Sequence, residues 1–501
     1  MQEVHVDAAP LQRLEVLLPV ERVEMLERTA GHARELLAGR VVWNLNSTAQ
    51  GGGVAEMLQV LLAYGRGAGV DTRWLVLDGD PDFFLITKRL HNMLHGSPGD
   101  GGGLGPAQQA HYLEVSRANA SAASMVRPGD VVLLHDPQTA GLVAPLRERG
   151  AAVVWRCHIG SGMDTEETEA AWEFLRPLIE PADAYVFSRP SYVPEWLPPD
   201  RARIIPPSID PFSTKNVLLE PPEVAAALGQ AGLVDLPVDK GSLVFGRRRG
   251  DTGSVRPHRD LLLGEPPLPR GARFVMQLSR WDRLKDMSGV LSGFADHPAD
   301  LPDDVHLLLA GPDVLGVADD PEGAAELASC RALWQQLPTP VRERVHLCSL
   351  PMDDVDENAH LVNCLQRHAS VVVQKSLAEG FGLTVTEPMW KAKPARTPVM
   401  SLSRSHRLSC ITTRASPGIG SPPSIRPRCA RTYPDDPSRR VNSREPSSGR
   451  RSTSPARLRA ATTSACWRWT FLVLNGSMEG AMIRTLSGVS HEGAYCGREK
   501  M

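Results

Sequence analysis

The chain has 501 residues, 42% of them apolar, and a net charge of −3, which predicts two or three domains with packed cores. No apolar run reaches the roughly 18 residues of a membrane span, and the first residues lack the basic start, apolar core and cleavage site of a signal peptide. Eight scattered cysteines form no CxxC pair and no Cys/His cluster of zinc spacing, so the expectation is a cytoplasmic protein with reduced thiols, no membrane partner and no bound metal. Charge is unevenly shared: residues 395–501 carry 18 Lys+Arg against 6 Asp+Glu, and residues 1–394 carry 37 against 52. A nucleic-acid enzyme would carry basic surface on its folded body. This body is acidic, so nucleic acid is not an expected partner.

Residues 1–38 read as one or two amphipathic helices. From residue 39 strands and helices alternate. GRVVWNLNS (39–47) is a buried strand, GGGVAEMLQVLLAYGRGAG (51–69) a helix behind glycines, and DTRWLVLDG (71–79) a second strand. DFFLITKRLHNMLHG (82–96) is a helix closed by Gly96. Strands follow in GDVVLLHDPQTAGL (129–142), AAVVWRCHIG (151–160), ADAYVFSRPSYV (182–193) and ARIIPPSIDPF (202–212). Residues 39–212 therefore form one doubly wound parallel-sheet unit, and 213–268 an irregular connection with an insertion. The alternation restarts at 269. FVMQLSRWDRLKD (274–286), VHLLLAGPD (305–313), VHLCSL (345–350) and SVVVQKS (370–376) are strands, with helices at 287–297, 323–336, 356–369 and from Leu383 to Trp390. The fold class is α/β, with two Rossmann-like sheets whose polar strand ends face a cleft.

The alternation stops near residue 394. Residues 395–470 contain 15 Arg and no Lys, and Arg, Ser, Pro and Thr supply 46 of the 76 residues. A basic disordered tail, a nucleic-acid or phosphoprotein arm, and an out-of-frame reading of a GC-rich gene stay open. The last accounts best for arginine without lysine and for a change in mid-domain.

Four groups of residues could carry chemistry. Gly51, Gly52 and Gly53 let the backbone approach a ligand at a helix N-terminus, although a tight turn explains them as well. Arg280 and Lys285, five residues apart beyond a strand, can grip a diphosphate, or be two solvated charges. Glu379 and Glu387 bracket GFGLTVT, whose amides suit a phosphate while the carboxylates accept sugar hydroxyls. His135 and His158 end neighbouring strands at the cleft edge, where a structural role competes with a binding one. No HExxH, EF-hand, GxSxG or DxD motif points to a metal or a serine nucleophile.

Together, "SRWDRLKD", "LLLAGPD" and "EGFGLTVTE" resemble the donor domain of the retaining GT-B glycosyltransferases of family 4. "NSTAQGGGVAEMLQ", "HDPQTAGL", "WRCHIG" and "IIPPSIDPFSTKN" resemble the trehalose-synthesising group within it, over about residues 1–394. The resemblance implies reversible transfer of glucose from ADP- or UDP-glucose to glucose, giving α,α-trehalose, with no tightly bound cofactor and often as a homodimer. It implies that Arg280 and Lys285 stabilise the leaving phosphate with help from the amides of Gly380, Phe381, Gly382 and Leu383. Glu379 would orient the donor sugar and Glu387 the ribose, with Gly51–Gly53, His135 and His158 on the acceptor side. In that family the sheet continues after "MWKA", and KPARTPVMSLSRSHRLSC departs from the pattern, so the second domain is expected to be incomplete and the chain inactive or poorly folded as written. Competing readings are a family 4 transferase with another acceptor, a phosphorylase, and a non-catalytic sugar-nucleotide binder.

Overall fold

The computed structural model describes residues 1–50, 52–238, 243–248, 250–263, 266–314, 322–377 and 382–396. Gly51, Glu379, Gly380 and Phe381 lie outside the described residues, as does the Arg/Ser/Pro/Thr-rich stretch from 397 onward.

Strands β1 (Gln2–Val4), β2 (Val42–Asn46), β3 (Thr72–Val76), β4 (Val131–His135), β5 (Ala152–Cys157), β6 (Ala184–Phe187) and β7 (Ala202–Ile204) make the first sheet, in the order β1-β3-β2-β4-β5-β6-β7. Only β1, at the edge, runs antiparallel among these. The chain leaves β2 for β3 on one side and returns as β4 on the other. That reversal opens a crevice at the carboxyl ends of β2 and β4.

Side chains alternate across this sheet. Trp43, Val153, Trp155 and Cys157 enter one core, while Trp74, Ala152 and Val154 enter the other. With both faces covered, the strands need near-continuous apolar sequence, which is how they read. The Gly53–Gly67 helix packs on one face, and the Pro81–Leu94, Pro106–Ala122 and Glu166–Ile179 helices on the other.

A hairpin of β8 (Val244–Gly246) and β9 (Thr252–Ser254) follows. Then β10 (Arg273–Leu278), β11 (Val305–Pro312), β12 (Val345–Leu350), β13 (Val371–Val373) and β14 (Ala395–Arg396) form a parallel sheet in the order β12-β11-β10-β13-β14. Its reversal falls at β10, so the RWDRLKD turn lies at the second crevice. Phe274, Met276, Leu308 and Ala310 face the core under the Val355–His368 helix, and Leu307 and Leu309 face the opposite one. The hairpin is tied to the acidic start of the Val355–His368 helix: Arg247 pairs with Asp354 at 2.6 Å and Arg256 with Glu357 at 2.6 Å. Carboxylates are favourable at that helix end.

The structure differs from the sequence reading in several places. The first residues add the edge strand β1 where helix was expected. Pro106–Ala122 is a helix although its few large apolar residues leave almost no 3.6-residue period. Glu166–Ile179 is also a helix, started by a capping box in which Thr165 Oγ1 accepts the Thr168 amide and Thr168 Oγ1 the Thr165 amide. Finally, β14 carries the second sheet into residues 395–396, within the span read as tail. Val372 aligns with Ala395 and Val373 with Arg396. Among the described residues no helix is long and apolar enough to cross a membrane.

Candidate active site

The two crevices meet in one open cleft of about 430 Å³. Of the residues singled out from sequence, Gly52, Gly53, His135, His158, Arg280, Lys285, Leu383 and Glu387 line it. Gly382 stands at the start of the Leu383–Trp390 helix with φ 71°, the left-handed region that favours glycine.

On the first sheet, the loop after β2 is pinned by Asn46. Its Oδ1 accepts from Trp74 Nε1 at 2.7 Å and its Nδ2 donates to the Thr48 carbonyl at 2.7 Å. Gly52 is extended and Gly53 opens the helix, leaving a first turn whose amides have no side-chain cap. At the end of β4, His135 and His158 stack with centroids 5.2 Å apart and rings 6° from parallel. His135 Nε2 lies 3.1 Å from Asn44 Oδ1, and His135 Nδ1 lies 2.9 Å from His158 Nε2. With the Asn44 oxygen as acceptor, His135 carries its proton on Nε2 and His158 donates from its Nε2. Burial, then the nearby Arg156 charge, pushes both imidazoles well below their ordinary pKa, so both are neutral.

Asp136, beside this pair, was quoted from the sequence only as part of a polar strand end. Its backbone has φ 64° and ψ 178°, a region almost reserved for glycine. The peptide N–H donates to the Arg156 carbonyl at 2.8 Å, and the carbonyl accepts from Trp155 Nε1 at 3.2 Å. These bonds turn the side chain towards the floor of the cleft, where Oδ1 accepts the His158 amide at 2.7 Å. Burial raises its pKa to about 7, against the opposing effects of the His158 amide and Arg156. Arg156 is buried behind it, with its own pKa lowered to about 9 by burial. A strained acid with a near-neutral pKa in a cleft is a candidate for binding or proton transfer.

On the second sheet, Gln277 fixes the cationic turn. Its Nε2 donates to the Lys285 carbonyl at 2.6 Å and its Oε1 accepts the Lys375 amide at 3.1 Å, so the segment after β13 is tied to the turn. Trp281 is buried and donates from Nε1 to the Pro312 carbonyl at 3.1 Å. Gly311 makes room for it, because a Cβ there would lie 2.5 Å from Trp281 Nε1. Asp282 caps the turn by accepting the Leu284 amide at 2.8 Å, and lies 3.5 Å from Arg280 Nη2.

Two lysines join the halves. Lys88, on the Pro81–Leu94 helix of the first domain, reaches Asp282 Oδ2 at 3.0 Å and Glu322 Oε1 at 3.1 Å. Lys215, on the connecting chain, contacts the Glu56 carboxylate and lies 3.3 Å from Glu387 Oε1. Burial opposes its charge, but Glu387 and Glu56 more than compensate, so its pKa is raised and it stays protonated. Glu387 is 2% exposed, and its other oxygen accepts from Gln366 Nε2 at 3.0 Å. None of Asp136, Gln277, Lys88 and Lys215 was picked out from sequence. All four lie in stretches already quoted, but the lysines depend on contacts between segments 159 and 194 residues apart.

Comparison with known proteins shows the family of the chain. The family model "Trehalose synthase, N-terminal domain" matches residues 44–194. The chain is similar to a trehalose synthase of Pyrococcus horikoshii, 33% identical over 385 residues, covering 77% of this chain and 79% of the relative. It is also similar to a trehalose synthase of Rubrobacter xylanophilus, 32% identical over 378 residues, covering 74% and 76%. Among solved structures, an E. coli trehalose-6-phosphate protein bound with UDP-2-fluoro glucose superposes with a TM-score of 0.50 at 13% identity, covering 71% of this chain and 83% of that one, a likeness of fold.

Proposed function

The chain belongs to the trehalose synthase family of GT-B glycosyltransferases, and from that premise we propose that its cleft moves glucose from ADP- or UDP-glucose to free glucose, forming α,α-trehalose with retention at the donor carbon. The observation that carries this reading is the meeting of two unlike half-sites. A cationic turn with Arg280 and Lys285 and a hydrogen-bonding floor with the neutral His135 and His158 and with Asp136 line one cleft. The cations suit a diphosphate and the floor suits hydroxyls.

The bond from the donor anomeric carbon to the phosphate oxygen breaks, and a bond to the acceptor hydroxyl oxygen forms on the same face. The acceptor proton passes to the departing phosphate. Arg280 and Lys285 stabilise the charge that grows there. Asp136 accepts a hydrogen bond from an acceptor hydroxyl, and Glu387 takes the ribose side. Glu379, beyond the described residues, orients the donor sugar. Closure over the cleft keeps water from the donor. The domain limits proposed are 39–212 for the acceptor half and 269–394 for the donor half, and the working protein is a homodimer in the cytoplasm.

The direct test is to incubate the chain with glucose and either ADP- or UDP-glucose and follow the anomeric protons by NMR. A new α,α-linked disaccharide that requires both substrates supports the reading. Tight nucleotide-sugar binding without turnover would mark the chain as a non-catalytic binder.

A further inference from the structure

Lys88 is placed for more than packing. It comes from the acceptor half, yet its ammonium lies 3.0 Å from Asp282 in the cationic turn of the donor half. Asp282 has a 2% exposed side chain, so its charge must be balanced within the protein. Its carboxyl has three neighbours that matter. Oδ1 holds the Leu284 amide, and Oδ2 meets Lys88 at 3.0 Å and, at a longer 3.5 Å, Arg280 Nη2. Burial alone would raise the Asp282 pKa, but Lys88 and then Arg280 hold it well below the carboxylate range. His91 lies one turn further along the Lys88 helix; burial, then His95 and Lys88, push its pKa well below the ordinary value against the effect of Asp282, so its part in balancing the carboxylate is secondary to those of Lys88 and Arg280.

We propose that Lys88 is a positioning residue for the leaving diphosphate. By balancing most of the Asp282 charge from across the cleft, it keeps the Arg280–Asp282 contact at its long 3.5 Å and the guanidinium able to turn to phosphate. Without Lys88, Asp282 draws Arg280, already 3.5 Å away, into a closer pair, and the turn loses a phosphate ligand. Because the contact joins the two halves, phosphate affinity is coupled to closure of the cleft. This inference rests on the donor reading given above.

The experiment is calorimetric titration of the full chain with ADP and with UDP, for the wild type, Lys88→Met, Lys88→Arg, Asp282→Asn and the Lys88→Met/Asp282→Asn pair. Asn at 282 keeps an oxygen for the Leu284 amide, and thermal melts verify that each variant is folded. Lys88→Met should weaken diphosphate binding about tenfold or more. Lys88→Arg should restore it to within about threefold, since the charge is kept. In the Asp282→Asn background, Lys88→Met should cause almost no further loss, the mark of a residue acting through its partner. Wild-type affinity in Lys88→Met, failure of Lys88→Arg to restore binding, or additive losses in the pair would each overturn the inference. A wild type that binds neither ADP nor UDP defeats the donor reading itself, and the inference with it.

Discussion

Lys391 Nζ lies 2.6 Å from Gln366 Oε1 and 3.0 Å from Asn216 Oδ1, buried beneath the helix that presents Glu387. Gln366 uses its amide nitrogen on Glu387 and its oxygen on Lys391, so the side chain serves the cleft and its support at once. Burial brings the Lys391 pKa down to about 7, with Glu387 opposing that shift.

The pH dependence follows from the direction of that shift. An unfolded lysine titrates near its ordinary 10.5, so between about pH 7 and 10.5 the unfolded chain binds more protons than the folded one. Stability contributed at this site therefore rises with pH across that window and is lowest below it. Urea unfolding of the wild type and of Lys391→Met, at pH 6.5 and at pH 9.5 (roughly the two ends of the window), should show the wild type gaining on the variant by one or more kcal/mol, on the order of one pKa unit's worth or above. A difference independent of pH would show that Lys391 is charged throughout.

Lys215 joins Glu56 to Glu387, and Glu387 is 2% exposed. Lys215→Met leaves that carboxylate without its cation. The expected loss is about 3 kcal/mol in chemical unfolding, the scale for breaking a buried pair from one side. Replacement of Glu56 alone, at the more exposed end of the pair, should cost well under half of that.

Arg280→Ala and Lys285→Ala should each lower kcat by about 10² to 10³ if they stabilise the leaving phosphate, as removal of a preorganised charge-stabilising donor does. Steady-state kinetics with the nucleotide-sugar separates this from weaker ground-state binding, which would raise KM alone.

Gly311→Ala tests how tightly the turn is seated. The added Cβ would meet Trp281 Nε1 at 2.5 Å and Cε2 at 2.7 Å, close to the Ser279 carbonyl. Overpacking of this kind costs about 1–3 kcal/mol. Because Arg280 lies between Ser279 and Trp281, nucleoside diphosphate affinity should fall along with the melting temperature.

The departure after residue 394 has a test in the gene. Nucleotide sequence around codons 385–400, read in the other two frames, should return a strand, a glycine-rich turn and a helix. Confirmation of the frame as written, with no such pattern in the others, would make the arginine-rich stretch a genuine part of the protein.

Most of the fold was legible because both sheets are covered on two faces. β5 and β11 are mostly apolar, with Arg156 and His306 as the exceptions, and such runs announce themselves. The Pro106–Ala122 helix hid because alanine, serine and glutamine give no face to read. β1 hid because three residues at a sheet edge, partly exposed, carry no alternation. In the site, the paired motifs were visible as types: glycines before a helix, cations after a strand, histidines at strand ends. Asp136 was in plain view in "HDPQ", but its strained backbone is a property of the fold and has no sequence signature. Lys88 and Lys215 were out of reach for another reason. Their meaning lies in partners brought close only when the two sheets face each other.

The strands of the first sheet all fall between residues 2 and 204, and those of the second between 273 and 396. Among the described residues each sheet is thus contiguous in the chain. During synthesis the first can close its core while the second is still being made, since domains fold as units from the N-terminus onward. The cleft has no such independence. Lys88 waits for Asp282, and Lys215 for Glu387, which emerges from the ribosome near the end of the second sheet. Among the described residues, assembly of the cleft therefore comes after the first sheet can close, and a chain interrupted before the Leu383–Trp390 helix can hold the strands of the first sheet without any complete site.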